Sequence, residues 1–259
     1  MTPPFIFQPD IQRVHSEDAA AIHSVMARYY QGVEEARGDL LAEVFHPDWL
    51  MKDTDTPGAA TLDVEDKAAF IERVRGHGPY PGYAAGRRVV TVSAAHDRLA
   101  CVRVDKNESC SSTVFLFCMV GSTWSIMDKV WVNPRLAGAV PRPMAPVLEA
   151  VSSRCDNYFR ALASVDRSSL ETLLHERWEM KSIGCDGIIV HDIEEVLDGR
   201  IEPSGSADHS QLVSIEIFQE KMAVIRVDLP AREETRFMVM LRVGDPWQFV
   251  LERRSRKDV

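Results

Sequence analysis

Phe45-His46-Pro47-Asp48-Trp49-Leu50-Met51-Lys52-Asp53 returns later in the chain as Leu174-His175-Glu176-Arg177-Trp178-Glu179-Met180-Lys181-Ser182. His, Trp, Met and Lys recur at a constant offset of 129 residues, as from His46 to His175. The flanks agree. Arg103-Val104-Asp105 is answered by Arg226-Val227-Asp228, and Val120-Gly121-Ser122-Thr123-Trp124 by Val243-Gly244-Asp245-Pro246-Trp247, both at an offset of 123. The chain therefore reads as a tandem duplication of one unit of about 110–130 residues, the ordinary size of a domain. The copies differ at one chemically telling position: Asp53 in the first became Ser182 in the second.

Composition fits that reading. A chain of 259 residues divides naturally into two domains, each large enough to bury its own core. With 45% hydrophobic and 27% charged residues it has ordinary soluble, globular composition. A net charge of −9 argues against a nucleic-acid partner, which needs a basic footprint to meet phosphates. The five cysteines form no C-x-x-C pair and no zinc-ligand spacing, so they read as buried thiols in a reducing compartment. The N-terminal stretch lacks the basic and apolar regions of a signal peptide, and no run is long enough to span a bilayer. The expectation is a cytoplasmic protein with no membrane partner.

Taken in order, residues 1–17 read as an arm rich in proline. Ile22, Val25, Met26, Tyr29 and Val33 then form one helical stripe, which puts Tyr29 on a buried face. Gly38 ends this helix, and a short second helix follows over 40–45, with His46 at its cation-favouring end. Pro47 stops it. Residues 49–53 read as a strand that places Trp49, Met51 and Asp53 on one face. Asp63 is positioned to cap a third helix over 64–74, and Gly76-His77-Gly78-Pro79-Tyr80-Pro81-Gly82-Tyr83 must be loop.

The period then switches to two, with strands over 89–95, 99–108, 113–120 and 124–132. Residues 18–133 thus form the first domain and 134–146, rich in proline and glycine, the linker. The second domain, 147–252, repeats the plan with Tyr158 on its first helix, and 253–259 reads as a basic, frayed tail. Helices first and strands last is an α+β order. The expected architecture is two tandem cone-shaped domains, each with three helices packed on a curved antiparallel sheet around a small-molecule cavity.

At this point the residues meet a family. The first helix bearing Tyr29, the short helix ending Phe45-His46-Pro47-Asp48, and the strand motif Gly-x-x-Trp-x-Ile-x-x-Lys-Val (121–130) resemble the nuclear transport factor 2-like superfamily. The nearest branch is the SnoaL-like polyketide cyclase and Putative lumazine-binding group. The resemblance covers about 18–132 well and 147–252 more loosely. It implies the cone fold, and an activity among isomerases, dehydratases, cyclases, hydrolases and plain binding modules. Members pair sheet to sheet, which implies an intrachain pseudo-dimer of the two domains, with a homo-oligomer as a further expectation.

Aligned without gaps on Phe45, the resemblance to ketosteroid isomerases implies Tyr29 as the pocket tyrosine and Asp53 as the general base. The isomerases also use a protonated aspartate on a later strand. The matching stretch here, Val114-Phe115-Leu116-Phe117, is apolar, a departure that counts against full steroid-isomerase chemistry.

The residues taken by themselves point the same way. Beside Trp49 and Met51, the Asp53 carboxylate would enter an apolar pocket, where burial raises its pKa toward the range that proton transfer requires. Tyr29 faces the same interior and is placed to donate to a developing oxyanion. Substrate contacts are expected from Trp49, Met51, His77, Tyr80, Tyr83, Phe115 and Phe117. Asp128, which alternates with Trp124 and Ile126, is a second inward acid. The competing reading of Asp53 is a solvated strand end. His46 with His175, and the recurrent Arg103/Asp105 and Arg226/Asp228, read as structural. No metal site and no cofactor motif is present in the sequence.

Two functions remain open at this stage. The first is a cofactor-independent acid–base enzyme acting on a small, largely apolar molecule in the N-terminal cavity, by isomerisation, dehydration or cyclisation. The other is a non-catalytic small-molecule-binding or scaffold protein of the same fold.

Overall fold

The computed structural model describes residues 16–54, 61–95, 98–106, 111–132, 144–184, 187–201, 211–218, 221–243 and 246–256. Most of the expected arm and linker lies outside them. The described residues divide into two compact units, one within 16–132 and one within 144–256. The first unit runs α1 (Ser16–Glu34), α2 (Gly38–Val44), β1 (Phe45–Asp53), β2 (Asp63–Asp66), α3 (Lys67–His77), β3 (Arg87–Ala95), β4 (Leu99–Lys106), β5 (Ser111–Val120) and β6 (Thr123–Val132). The second runs α4 (Met144–Ser164), α5 (Arg167–Leu173), β7 (Leu174–Gly184), β8 (Gly187–Asp192), α6 (Ile193–Leu197), β9 (Gln211–Phe218), β10 (Met222–Leu229), β11 (Glu234–Arg242) and β12 (Trp247–Arg256). The two plans correspond element for element, and both units are α+β.

Each unit has one six-stranded sheet, ordered β2-β1-β6-β5-β4-β3 in the first and β8-β7-β12-β11-β10-β9 in the second. The expectation of a wholly antiparallel sheet needs correction. β1 runs parallel to β6, and β7 parallel to β12. The last strand of each unit returns beside the first after the whole antiparallel meander, and it arrives in the same direction.

The helical stripe does what its period dictates. Ile22, Met26, Tyr29 and Val33 are buried, and they pack with Phe45, Trp49, Phe70, Phe115 and Phe117 as one core. In the second unit Val151, Cys155, Tyr158 and Phe159 play the corresponding part against Trp178, Met238 and Phe249. The cap of α3 is Asp66, which accepts from the Ala69 amide, and not Asp63. Asp63 begins the edge strand β2, where it pairs with Asp53. Among the described residues no helix is long and apolar enough to cross a membrane.

One irregularity governs everything that follows. On β6, Phe117 pairs with Ile126 but Leu116 pairs with Asp128, so Met127 is an extra residue, a β-bulge. On β12, Met240 pairs with Phe249 and Val239 with Leu251, which makes Val250 the extra residue at the corresponding place. A bulge reverses the in/out alternation beyond it. Trp124 and Ile126 face the helices before the bulge, while Lys129 and Trp131 do so after it. Asp128, expected to point inward, is therefore on the opposite face, level with Leu50 and Leu116.

The expected tail is corrected in the same region. Residues 253–256 belong to β12, where Arg253 is fully buried and pairs with Glu179.

Candidate functional site

Past the bulge, each unit gathers ionisable side chains at the same place in its fold. In the first unit, α1 delivers Tyr29, wholly buried with its ring centroid 5.8, 6.5 and 5.3 Å from those of Phe45, Phe70 and Phe115. Its hydroxyl lies 3.2 Å from the hydroxyl of Tyr83.

Tyr83 arrives on the turn between α3 and β3. Gly78, at φ 76°, ends α3 in a conformation that favours glycine. The Tyr80 amide then donates to the Glu34 carbonyl at 2.9 Å, and the Ala84 amide to the Glu34 carboxylate at 2.9 Å. These two bonds tie the turn to the end of α1. Arg87 donates through Nε to the Tyr83 carbonyl at 2.7 Å, and its guanidinium sits 4.1 Å from the centre of the Tyr83 ring. β6 contributes Lys129, its ammonium 5.9 Å from the Tyr29 ring centre and 5.4 Å from that of Phe70. Cation–aromatic attraction partly offsets the cost of burying that charge.

The electrostatics set the three groups apart. Burial pushes the Tyr83 phenol up, but Lys129 and Arg87 outweigh it and bring it down to about 8. Burial lowers Lys129, and the interaction with Tyr83 opposes that shift. Burial, reinforced by Tyr83, holds Tyr29 well above the usual phenol range, so it stays a neutral donor. Tyr83 and Lys129 thus form an interacting pair, the phenol lowered to about 8 and the ammonium lowered by burial, beside a phenol that keeps its proton.

The residues expected from the sequence are distributed as follows. Asp53 lies level with Trp131 in the parallel register and accepts from its indole Nε1 at 3.2 Å. It shares the inner face with Met51 and Lys129, about 6–7 Å further along the strand at two residues' rise. Among the described residues the partner of the Tyr29 hydroxyl is Tyr83, not Asp53. Trp49 stacks on Phe45 at 4.3 Å and is buried with Phe115 and Phe117 in the core, while Met51 is the cross-strand neighbour of Lys129. His77 ends α3 and packs against the exposed Tyr80, on the outside of the turn whose inner residue is Tyr83.

Lys129 and Arg87 escaped the sequence reading. The signal was present in the spacing Ile126-x-x-Lys129, three residues where alternation demands two or four.

The second unit keeps the tyrosine and changes its surroundings. Tyr158 donates to Glu252 at 2.6 Å, and Arg236 bridges Glu252 (3.0 Å) and Glu234 (2.5 Å). Arg256 closes the chain on Glu234 at 2.8 Å. Burial pushes the Glu234 carboxyl up, but Arg236 and Arg256 outweigh it and hold it below the usual range. Glu252 stands where the first unit has Lys129, Arg236 where it has Thr113, and Arg254 where it has Trp131. Ser182, in the place of Asp53, accepts from Arg254 Nε at 2.7 Å. Next to this cluster lies a cavity of about 400 Å³, within the usual range for small-molecule sites. Among the described residues no group of three or more His, Cys, Asp or Glu could hold a metal ion.

With this geometry in view, the comparisons with known proteins fall into place. Residues 17–132, just under half of the chain, match the family described as Putative lumazine-binding. Each unit is an α+β fold with one mixed six-stranded sheet. Similar solved structures include a nuclear transport factor 2-like protein of unknown function from Silicibacter pomeroyi, at 15% identity and TM-score 0.41, covering 47% of this chain and 99% of that one. A second, from Shewanella baltica and also of unknown function, has 14% identity and TM-score 0.41 over 47% of this chain and 98% of that one. A ketosteroid isomerase-like protein from Erwinia carotovora atroseptica has 13% identity and TM-score 0.36 over 46% of this chain and 98% of its own. No curated protein matches the chain significantly.

Proposed function

We propose that the first unit is a small-molecule enzyme that moves a proton without a cofactor, by isomerisation, dehydration or cyclisation of a largely apolar substrate. Tyr83 carries the proton. Its phenolate form is stabilised by Lys129 and Arg87, and the neutral Tyr29 donates to its oxygen or to a substrate oxyanion that takes its place. Asp53, on the same inner face, is the second acid. The observation that carries this reading is the Tyr83 phenol at about 8, in hydrogen-bond reach of a tyrosine that does not ionise. A proton carrier of that kind suits chemistry near neutral pH.

The second reading, a binding module without chemistry, is favoured by one observation. Trp49, Phe115 and Phe117 fill the deep part of the interior and do not line a space.

Ultraviolet titration of tyrosinate separates the two. The enzyme reading expects one tyrosine to ionise near pH 8, with the signal lost in Tyr83→Phe and moved upward in Lys129→Met. Wild-type protein would then exchange the α-protons of enolisable ketones in deuterated water, and Tyr83→Phe would not. Ionisation of every tyrosine at about 10 or above, or equal exchange by Tyr83→Phe, leaves the binding module as the better account.

A further inference from the structure

The second unit carries a guanidinium that the acid–base reading does not use. Arg254 lies on the inner face of β12 and spends Nε on Ser182. Among the described residues, no protein acceptor takes the N–H groups of its two terminal nitrogens. Its neighbours already hold the carboxylates. Arg236 and Arg256 hold Glu234 between them, and Arg236 also holds Glu252. Of the strand charges on the inner face, three arginines (236, 254, 256) stand against two carboxylates (234, 252), a surplus of one positive charge, and the other ionisable side chains lining the cavity, Arg200 and His191, face Asp198 and Glu195. Burial lowers the pKa of Arg254, and repulsion from Arg236 adds to the shift.

Arg254 lines the cavity of about 400 Å³ together with Ser182, Ile189 and Ile201, and Ile189, level with Ser182, shares the inner face with Arg254. The cavity thus sets a guanidinium fork near an aliphatic patch. A fork binds a planar carboxylate through two parallel hydrogen bonds, and a desolvated fork gains more from that pairing than one in water. A single surplus charge matches a monoanion and not a dianion. The aliphatic patch rewards a ligand with an apolar body.

We propose that this cavity binds a small organic monocarboxylate, with the carboxylate on Arg254 and the apolar body against Ile189 and Ile201. The site lies wholly within the second unit and does not depend on any chemistry in the first.

Calorimetric titration of the intact protein tests it, with hexanoate and benzoate as probes against hexanol, benzyl alcohol and inorganic phosphate. The carboxylates should bind at least about tenfold more tightly than the alcohols, the worth of one charge-assisted pairing. Phosphate should bind more weakly than either carboxylate. Arg254→Gln should lose about tenfold or more for the carboxylates and nothing for the alcohols. Ile189→Glu, on the edge strand β8 and level with Ser182, sets a competing carboxylate at the cavity wall and should abolish binding even if Arg254→Gln fails to fold. The proposal falls if no carboxylate binds, if alcohols or phosphate bind as tightly, or if Arg254→Gln and Ile189→Glu bind like the wild type. It also falls if Lys129→Met removes the binding, since the anion would then sit in the first unit.

Discussion

Both units set a tyrosine from their first helix against a charged side chain just beyond the same bulge, and that side chain has opposite sign in the two. In the first, Tyr29 meets a lysine through its ring and a second phenol through its oxygen. In the second, Tyr158 donates to a carboxylate that a buried arginine already holds. One arrangement sets the lowered phenol of Tyr83 beside a buried ammonium. The other gives every member of the Tyr158–Glu252–Arg236–Glu234–Arg256 chain an opposite charge or a donor. A shared scaffold thus carries a lysine beside two phenols in one copy and a carboxylate–arginine chain in the other, because the inner positions past the bulge were exchanged while the aromatic core was kept.

The largest effect is expected where the second unit is most committed. Arg236→Met removes the bridge between two carboxylates that are almost wholly buried. The loss should be about 3–5 kcal/mol, the usual cost of stranding a buried charge, read as a shift of the denaturant midpoint. The matching change in the first unit should act oppositely. Lys129→Met leaves no stranded carboxylate, so stability should hold or rise. Tyr83 should then climb from about 8 into or above the usual phenol range, as tyrosinate absorption would report. A large destabilisation by Lys129→Met would break the contrast between the units.

A pH series sharpens the comparison further. Tyr83 has a folded pKa lowered to about 8, below that of an unfolded phenol at about 10. Between those values the unfolded chain holds more protons on this group. Its ionisation therefore adds stability as pH rises through that window, and the contribution is lost as pH falls through about 8. The stability of wild type minus that of Tyr83→Phe should increase from pH 8 to pH 10, measured by denaturant titration at each pH. A flat difference would mean that Tyr83 does not ionise in the folded state.

The smallest effect should be the same in both copies. His46 Nδ1 accepts from the Asp48 amide at 3.2 Å, and His175 Nδ1 from the Arg177 amide at 3.1 Å. Each bond braces the turn that follows the short helix of its unit. Replacing either by alanine should cost about 1 kcal/mol, the net worth of one hydrogen bond. Unequal costs would show that one histidine has a further role.

Periodicity made much of this legible. The stripe that buries Tyr29, the recurrent Arg103/Asp105 and Arg226/Asp228 pairs, and the doubling of the unit follow from spacing alone, and the structure has them. What spacing could not carry was the phase of the last strand. Alternation counted from Trp124 puts Asp128 inside, and one inserted residue puts Lys129 there instead. The same slip hid Glu252, Arg254 and Arg256, so a buried charge system looked like a solvated tail. Asp53 was legible as an inner-face acid, but its neighbour is the Trp131 indole, which also reaches that face only because of the bulge.

The bulge has a consequence for how such a chain diversifies. It splits the central strand of each unit into two stretches that answer to different constraints. The stretch before it packs on the helices and must stay apolar for the unit to fold. The stretch after it carries charged side chains on the inner face, Lys129 in one unit and Glu252 with Arg254 in the other, each tied to neighbours of its own. A charge can therefore change there only together with the partners that hold it, and the two copies differ by whole sets of residues.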